Sequence, residues 1–376
     1  MNRRALIKGS LLACAAAASP RLFEGRLLAA PRQTTAGDDE KFVREAAYWK
    51  KLTGTKVECE LCPRACKVAD GERGFCGVRE NRGGRYVTLV FNRPCSMHVD
   101  PIEKKPLFHY KPGTRSFSIA TAGCNVECKF CQNWEISQFR PEQIESIHQT
   151  PDDIVEGAIR SGSATIAFTY TEPVVYCEYM LAVAERAREK GVEGVMITNA
   201  FIKEKPLLDT LKVLGAIKVD FKGYTEDFYK TYCRGELKPV LEAMKRIAKA
   251  GTWLELVHLT IPTLNDDEKV IRQLAVWVKD NLGPKTPIHF TRFHPMYKLK
   301  NLPVTPVKTL ERARDVSMDA GLKYVYAGNV PGHPGENTYC HKCGRMLIKR
   351  AGYIIKENLV QNGKCPCGEK IPGVWS

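Results

Sequence analysis

Eleven of the 15 cysteines fall in three groups: Cys59, Cys62, Cys66 and Cys76; Cys124, Cys128 and Cys131; Cys340, Cys343, Cys365 and Cys367. Thiols spaced this closely are poor disulfide partners for one another. They suit a shared metal ion or an iron–sulfur cluster. The central group reads Cys124-Asn-Val-Glu-Cys128-Lys-Phe-Cys131. Three thiolates in one short loop can hold three irons of a [4Fe–4S] cube and leave the fourth open to a ligand. Competing readings are a zinc site with a distant fourth ligand, or buried cysteines of no special role. The first group offers four soft ligands, enough to close a structural zinc site or hold an auxiliary [4Fe–4S] cluster. Its spacing differs from the bacterial ferredoxin run, which places zinc first. In the last group, Cys340-His-Lys-Cys343-Gly344 and Cys365-Pro-Cys367-Gly368 flank a predicted β-hairpin over 346–360, the pattern of a zinc ribbon. The Cys365-Pro-Cys367 gap is one residue short, so either the ribbon is distorted or His341 substitutes as a ligand. Cys14, Cys95, Cys177 and Cys233 stand alone and read as small buried residues. Cys233, by its nearness to Lys222, is also a candidate to face a cavity.

The central loop needs a scaffold, and the chain around it alternates apolar strands with capped helices. Strands are predicted over 116–121, 164–169, 194–198, 216–221, 253–260, 287–293 and 322–327. Helices are predicted from 151 and over 174–190, 206–214, 267–281 and 307–320, with helical material up to about 250. Thr150 caps the first helix, with Pro151 at its first position and Asp152 and Asp153 in its first turn. Repeated βα units of about 30 residues imply a parallel sheet with right-handed crossovers. Seven strands fit an α/β fold of the open, partial TIM-like barrel type better than a closed eight-stranded one. The central cysteines follow the first strand, at the barrel end where such folds place their chemistry. Four segments result: a leader over 1–35, a Cys-rich extension over 36–112, the barrel over 113–330 and a Cys-rich, zinc-ribbon-like tail over 331–376.

The Cys-x3-Cys-x2-Cys loop with the aromatic Phe130 before its last cysteine resembles the signature of the radical S-adenosylmethionine (SAM) superfamily. Asp100-Pro-Ile-Glu-Lys-Lys-Pro106, Thr121-Ala-Gly-Cys124 and Cys131-Gln-Asn-Trp134 resemble the pyruvate formate-lyase activating enzyme branch. Within it the chain is most similar to the radical SAM component of the AmmeMemoRadiSam system, from Cys59 to Trp375. The resemblance implies that Cys124, Cys128 and Cys131 ligate a [4Fe–4S] cluster whose fourth iron is chelated by SAM. It implies a SAM site built from Phe130, Glu172, Thr198, Asn199, Asp220, Lys222 and His294. Glu172 would accept hydrogen bonds from the SAM amine. Asp220 would serve the ribose side and Lys222 the carboxylate. Tyr170 and Thr171 stand where relatives carry two glycines. The implied activity is a radical SAM oxidoreductase: one electron cleaves SAM to methionine and a 5′-deoxyadenosyl radical, which takes hydrogen from a protein or small-molecule substrate. A low-potential donor of flavodoxin or ferredoxin type is the implied partner.

Composition sets the outer bounds. Hydrophobic residues make up 44% and charged residues 26% of 376, which excludes wholesale disorder. The net charge is +15. Residues 1–35 carry six basic groups and one acid, so part of that excess lies in the leader. Surface lysines account for the remainder without a specific nucleic-acid partner. A non-catalytic metal- or RNA-binding protein is the alternative class, but it leaves Glu172, Asp220 and His294 without a role. A ferredoxin-like carrier would not need the barrel. Asn2-Arg3-Arg4-Ala5-Leu6-Ile7-Lys8 resembles a twin-arginine signal, followed by a short apolar stretch. The expectation is maturation in the cytoplasm, then export or membrane association, with no membrane-spanning segment.

Overall fold

The computed structural model describes residues 39–376. The leader, with Cys14, lies outside the described residues. An eight-stranded sheet forms the centre. Its spatial order is Val325–Gly328, Ile288–Arg292, Trp253–Thr260, Leu214–Asp220, Glu193–Thr198, Thr165–Phe168, Arg115–Ala120, Ser96–Pro101. The seven strands from Arg115–Ala120 onward pair in parallel. The two end strands do not pair with each other, so the sheet is an open, partial barrel.

Local chemistry explains the elements. All four residues of Thr165–Phe168 are buried, as expected of a parallel strand covered on both faces. The helix Pro151–Arg160 opens with a capping box: the Thr150 hydroxyl accepts from Asp153 N at 3.2 Å, and the Asp153 carboxylate accepts from Thr150 N at 2.8 Å. Its inner face buries Ile154, Val155 and Ala158. The helices Cys177–Glu189, Glu204–Leu211, Leu237–Ala250, Glu268–Leu282 and Val307–Asp319 complete the other βα units. Two predicted boundaries move. The helix predicted from 174 begins as a 3-10 turn, Pro173–Tyr176, because Glu172 caps it and Pro173 occupies its first position. The strand predicted from 322 begins at Val325, because Leu322 N still bonds Ser317 O and Lys323 N bonds Pro284 O.

The extension predicted over 36–112 differs most from expectation. Its last strand, Ser96–Pro101, belongs to the barrel sheet and runs antiparallel to Arg115–Ala120. As an edge strand ending in proline it lacks the alternating burial that marks a strand in sequence. The remainder forms two small antiparallel sheets: Arg44–Glu45, Arg85–Thr88 and Arg79–Arg82 in one, Trp49–Lys51, Val57–Cys59 and Lys67–Val68 in the other. These share one apolar core with the barrel, since Val57, Val78 and Tyr86 pack in the same cluster as Ile119, Phe168 and Val219. Buried Arg79 crosses the junction, donating to Ala47 O at 2.7 Å and pairing with Glu178.

The tail is a three-stranded antiparallel sheet of Thr338–Tyr339, Met346–Ala351 and Ile354–Asn358, the last two being the predicted hairpin. Leu347 and Ile348 pack against Phe108, Tyr324 and Tyr326. Buried Arg350 donates to Phe108 O at 3.0 Å and Thr338 Oγ1 at 2.8 Å. The tail therefore depends on the barrel for part of its core. Among the described residues no helix is long and apolar enough to cross a membrane.

Candidate functional site

Successive strand ends converge on one cavity of about 440 Å³, in the range of small-molecule sites. Cys124, Cys128, Phe130 and Cys131 reach it from the loop after Arg115–Ala120, and Glu172 from the loop after Thr165–Phe168. Asn199 follows the end of Glu193–Thr198, while Asp220 and Lys222 come from the end of Leu214–Asp220. A separate groove along Glu268–Leu282, lined by Tyr224 and Trp277, holds no cysteine.

Glu172 is the most constrained group. Its carboxylate accepts from Thr198 Oγ1 at 2.6 Å, Asn199 N at 2.8 Å and Val174 N at 3.2 Å. Burial nevertheless pushes its carboxyl up to about 7, against the pull of those donors. Thr198 does not line the cavity; it positions Glu172. Asn199 Nδ2 donates to Asn125 Oδ1 at 2.8 Å and approaches Cys124 Sγ at 3.9 Å, which ties this strand end to the cysteine loop.

Two of the three thiols are held in the neutral form by burial, which a bound metal would reverse. Burial pushes the Cys124 thiol well up and also raises Cys131, whose sulfur meets Ser137 Oγ at 3.2 Å. Cys128 moves the other way, because Cys233 hydrogen-bonds it and Lys222 lies nearby. Cys233 is therefore a buried neighbour of the ligand loop; it does not line the cavity. One buried and two half-buried thiols around one cavity fit a cluster that brings its own positive charge.

Several lining residues went unread in the sequence. Lys218 is buried within the strand ending at Asp220 and forms an ion pair with it. Lys222 pairs with the other Asp220 oxygen at 3.2 Å. Burial alone would raise the Asp220 carboxyl, but the two ammonium groups hold it at about 2. The signal was present: a lysine two residues before the aspartate in an otherwise apolar strand points to the same face. Asp220→Asn is expected to cost about 3 kcal/mol of stability, because Lys218 then keeps a buried charge with one partner lost. Urea unfolding of the ligand-free protein measures it, and an unchanged midpoint would refute the pairing.

Lys105, from the Asp100–Pro106 segment, also lines the cavity; burial pulls its ammonium down to about 8 against the hold of Asp100. Asp100 accepts from Lys104 at 2.9 Å, Lys105 at 2.5 Å and Ser118 Oγ at 3.0 Å, and from the Tyr170 hydroxyl. Tyr170 occupies a glycine position of the resembled motif, and its φ is +64°, in the left-handed region. Its hydroxyl bond to Asp100 and its carbonyl bond from Asn133 Nδ2 at 2.7 Å hold that conformation without glycine. Tyr353, in the turn of the tail hairpin, completes the lining.

His294 is not brought to this site. The strand ends at Arg292, Phe293 turns inward with its N–H on Thr305 Oγ1 at 2.9 Å, and His294 faces solvent. Thr291 lines the cavity from that strand instead.

The tail cysteines converge as predicted. Cys340, Cys343, Cys365 and Cys367 bring their sulfurs within 4.8 Å of one another, with Cys340–Cys367 at 3.8 Å and Cys343–Cys365 at 3.7 Å. A tetrahedral ion with bonds of about 2.3 Å requires sulfur–sulfur edges of about 3.8 Å. His341 is engaged elsewhere, with Tyr324 at 2.8 Å and Glu369 at 3.0 Å, so it does not substitute for a cysteine.

The radical SAM superfamily model matches residues 118–275. The chain is 48% identical over 334 residues to an uncharacterized protein of Methanocaldococcus jannaschii, covering 88% of this chain and 99% of that one. It is 22% identical over 172 residues to the pyruvate formate-lyase-activating enzyme of Clostridium pasteurianum, covering 45% and 71% of the two chains. A solved radical SAM methyltransferase from Sphaerobacter thermophilus superposes with a TM-score of 0.47 at 15% identity, over 60% of this chain and 71% of that one. The chain belongs to the radical SAM superfamily. Membership implies a [4Fe–4S] cluster and SAM, and the residues around the cavity fit both.

Proposed function

We propose that this protein is a radical SAM enzyme that reductively cleaves SAM and uses the 5′-deoxyadenosyl radical to take hydrogen from a substrate. One observation carries the reading: Cys124, Cys128 and Cys131 share a single cavity with Glu172, Asn199, Asp220 and Lys222. A cluster held by these cysteines would supply the one electron that reductive cleavage of SAM needs. The protein's part is to hold and to shield. The three thiolates would ligate the cluster, and Phe130 would wall it from the apolar side. Glu172, braced by Thr198 and the Asn199 N–H, would accept from the SAM amine. Lys222 would meet the SAM carboxylate and Asp220 the ribose. Lys218 and Lys105 add positive potential that favours an anionic group.

The motifs from Asp100 to Trp134 support placement beside the pyruvate formate-lyase activating enzymes, and the likeness from Cys59 to Trp375, with its two cysteine-rich ends, supports the finer reading as the radical SAM component of an AmmeMemoRadiSam system. The substrate is then a protein or a small molecule, and a flavodoxin- or ferredoxin-type donor supplies the electron. Anaerobic reconstitution with iron and sulfide, followed by assay of 5′-deoxyadenosine from SAM, tests the class. A reconstituted, SAM-binding protein that forms none would refute it.

The tail is read as a zinc site on the strength of its sulfur–sulfur edges. Full-length protein should carry one tightly held zinc there, and Cys343→Ser should lose it and unfold at lower temperature. Metal analysis and a thermal melt check this. The full chain is needed, because the tail shares its core with Tyr324 and Tyr326.

The twin-arginine-like leader supports export or membrane association after cytoplasmic assembly of the cluster. Residues 1–36 fused to a reporter that folds before export should carry it across. Equal export after Arg3→Lys with Arg4→Lys would leave the protein cytoplasmic.

A further inference from the structure

The four N-terminal cysteines differ from the tail four in one measurable respect. Among the described residues, only the tail brings three or more ligand atoms within 4.8 Å of one another. No three of Cys59, Cys62, Cys66 and Cys76 gather that closely, and neither do Cys124, Cys128 and Cys131. A single tetrahedral ion needs edges of about 3.8 Å, which the tail supplies. A cubane places each thiolate on its own iron corner and so spreads the sulfurs further apart. By this measure the N-terminal four resemble the central ligands and differ from the tail set, which favours the auxiliary-cluster alternative over zinc for this group.

The surroundings also fit a bulkier, charge-accepting occupant. The Tyr86 hydroxyl is fully buried and has no hydrogen-bond partner. It lies within electrostatic reach of Cys76, Cys59 and Cys66. A Cβ placed on Gly74 would sit 2.7 Å from that hydroxyl and 3.9 Å from Cys66 Sγ, so hydroxyl and thiol flank the same backbone. Phe75 N donates to Cys66 Sγ at 3.5 Å, and buried Arg79 approaches Cys59 Sγ at 4.0 Å while its Nε has no partner. Orphaned buried donors beside four thiols call for an acceptor. Cluster sulfides and thiolates are acceptors, and donors to them tune the potential.

The N-terminal group is seated directly on the central loop. A Cβ on Gly123 would lie 2.8 Å from Cys76 O and 2.6 Å from Val78 Cγ1, so only glycine fits there. Cys124 is the next residue, and Cys76 and Cys124 line one shared cavity. Arg64, between Cys62 and Cys66, donates to Asn125 O and Arg234 O and clamps the two loops together.

We propose that Cys59, Cys62, Cys66 and Cys76 hold a second [4Fe–4S] cluster that relays the reducing electron to the central one. This rests on the proposed function for its purpose but not for its detection. Four thiolates leave no iron open, so such a cluster would pass electrons and not bind substrate. One electron leaves a low-potential flavin or ferredoxin-type protein, which is oxidised by one equivalent. The N-terminal cluster is reduced and then reoxidised as the same electron passes to the central cluster. No bond forms or breaks and no proton moves in the relay.

The decisive material is the full chain carrying Cys124→Ala, Cys128→Ala and Cys131→Ala, reconstituted anaerobically. It should retain about four irons and four sulfides, against about eight of each in wild type. Reduced with dithionite, it should show an electron paramagnetic resonance signal that SAM does not alter. A folded triple variant without iron, or with zinc in its place, would overturn the cluster. Failure of SAM cleavage in wild type would bear only on the proposed function. Tyr86→Phe should shift the midpoint potential of the SAM-insensitive signal and leave the SAM-sensitive one in place; no shift would overturn the role given to its hydroxyl. Cys59→Ser with Cys62→Ser should keep the SAM-sensitive signal but slow 5′-deoxyadenosine formation driven by a flavodoxin-type donor at least tenfold. An unchanged rate in that variant would overturn the relay.

Discussion

Cys128→Ala, reconstituted anaerobically, is expected to form no 5′-deoxyadenosine, a fall of at least a thousandfold that corresponds to about 4 kcal/mol or more of lost barrier reduction. Cys128 occupies the middle of the ligand loop, hydrogen-bonded by Cys233 and facing Lys222. Two remaining thiolates cannot hold the cube that three would fix. Folding should survive, because the change removes one small buried sulfur from a large core. Iron, sulfide and far-UV circular dichroism, measured beside SAM cleavage, separate loss of the cluster from loss of the fold. Cleavage at the wild-type rate would remove the loop from the chemistry. The same result is expected of Cys124→Ala and Cys131→Ala.

Glu172→Gln should weaken SAM binding by about 10- to 100-fold, the worth of a charged hydrogen bond of about 1.5–3 kcal/mol. A carboxylate has about four lone-pair sites. The donors Thr198 Oγ1, Asn199 N and Val174 N occupy three of them, which leaves room for one more from the cavity. An amide must turn its NH₂ toward one of these donors, so some loss of stability should accompany the loss of affinity. Cluster assembly should be intact, since the carboxylate is not a ligand.

The pH dependence follows from burial, which brings the Glu172 carboxyl to about 7. Below that pH the group gains a proton and loses an acceptor site. Wild-type affinity for SAM should therefore weaken as pH falls from 8 to 6, by up to about tenfold over that range. The Gln variant should lack that component. Spectroscopic SAM titrations at several pH values measure both. Normal affinity in a folded Gln variant, or a wild-type affinity insensitive to pH, would exclude Glu172 from the site.

Much of this protein was legible in its residues, because the relevant signals are local. A cysteine loop with gaps of three and two residues declares its chemistry in eight residues. Thr150, Pro151 and Asp153 mark a helix start through bonds that span three positions. Apolar runs such as 194–198 and 216–221 mark buried strands, and the hairpin at 346–358 follows from its own turn.

Tertiary structure decided everything that depends on sheet register and on distances between segments. The strand Ser96–Pro101 joins the barrel through pairing with Arg115–Ala120, although its own sequence lacks the pattern of a strand. His294 falls outside the cavity because the preceding strand stops at Arg292 and Phe293 takes the inward position. Lys105 and Tyr170 meet at Asp100 across 65 to 70 residues of chain, which no spacing rule anticipates. The two flanking cysteine groups each offer four thiols, which as residue types suit either zinc or a cluster. Folding brings the four tail sulfurs close enough for one ion and does not bring any three of the N-terminal four within that distance. Ligand identity is written in the sequence, but the size of the cage is set by the backbones packed around it.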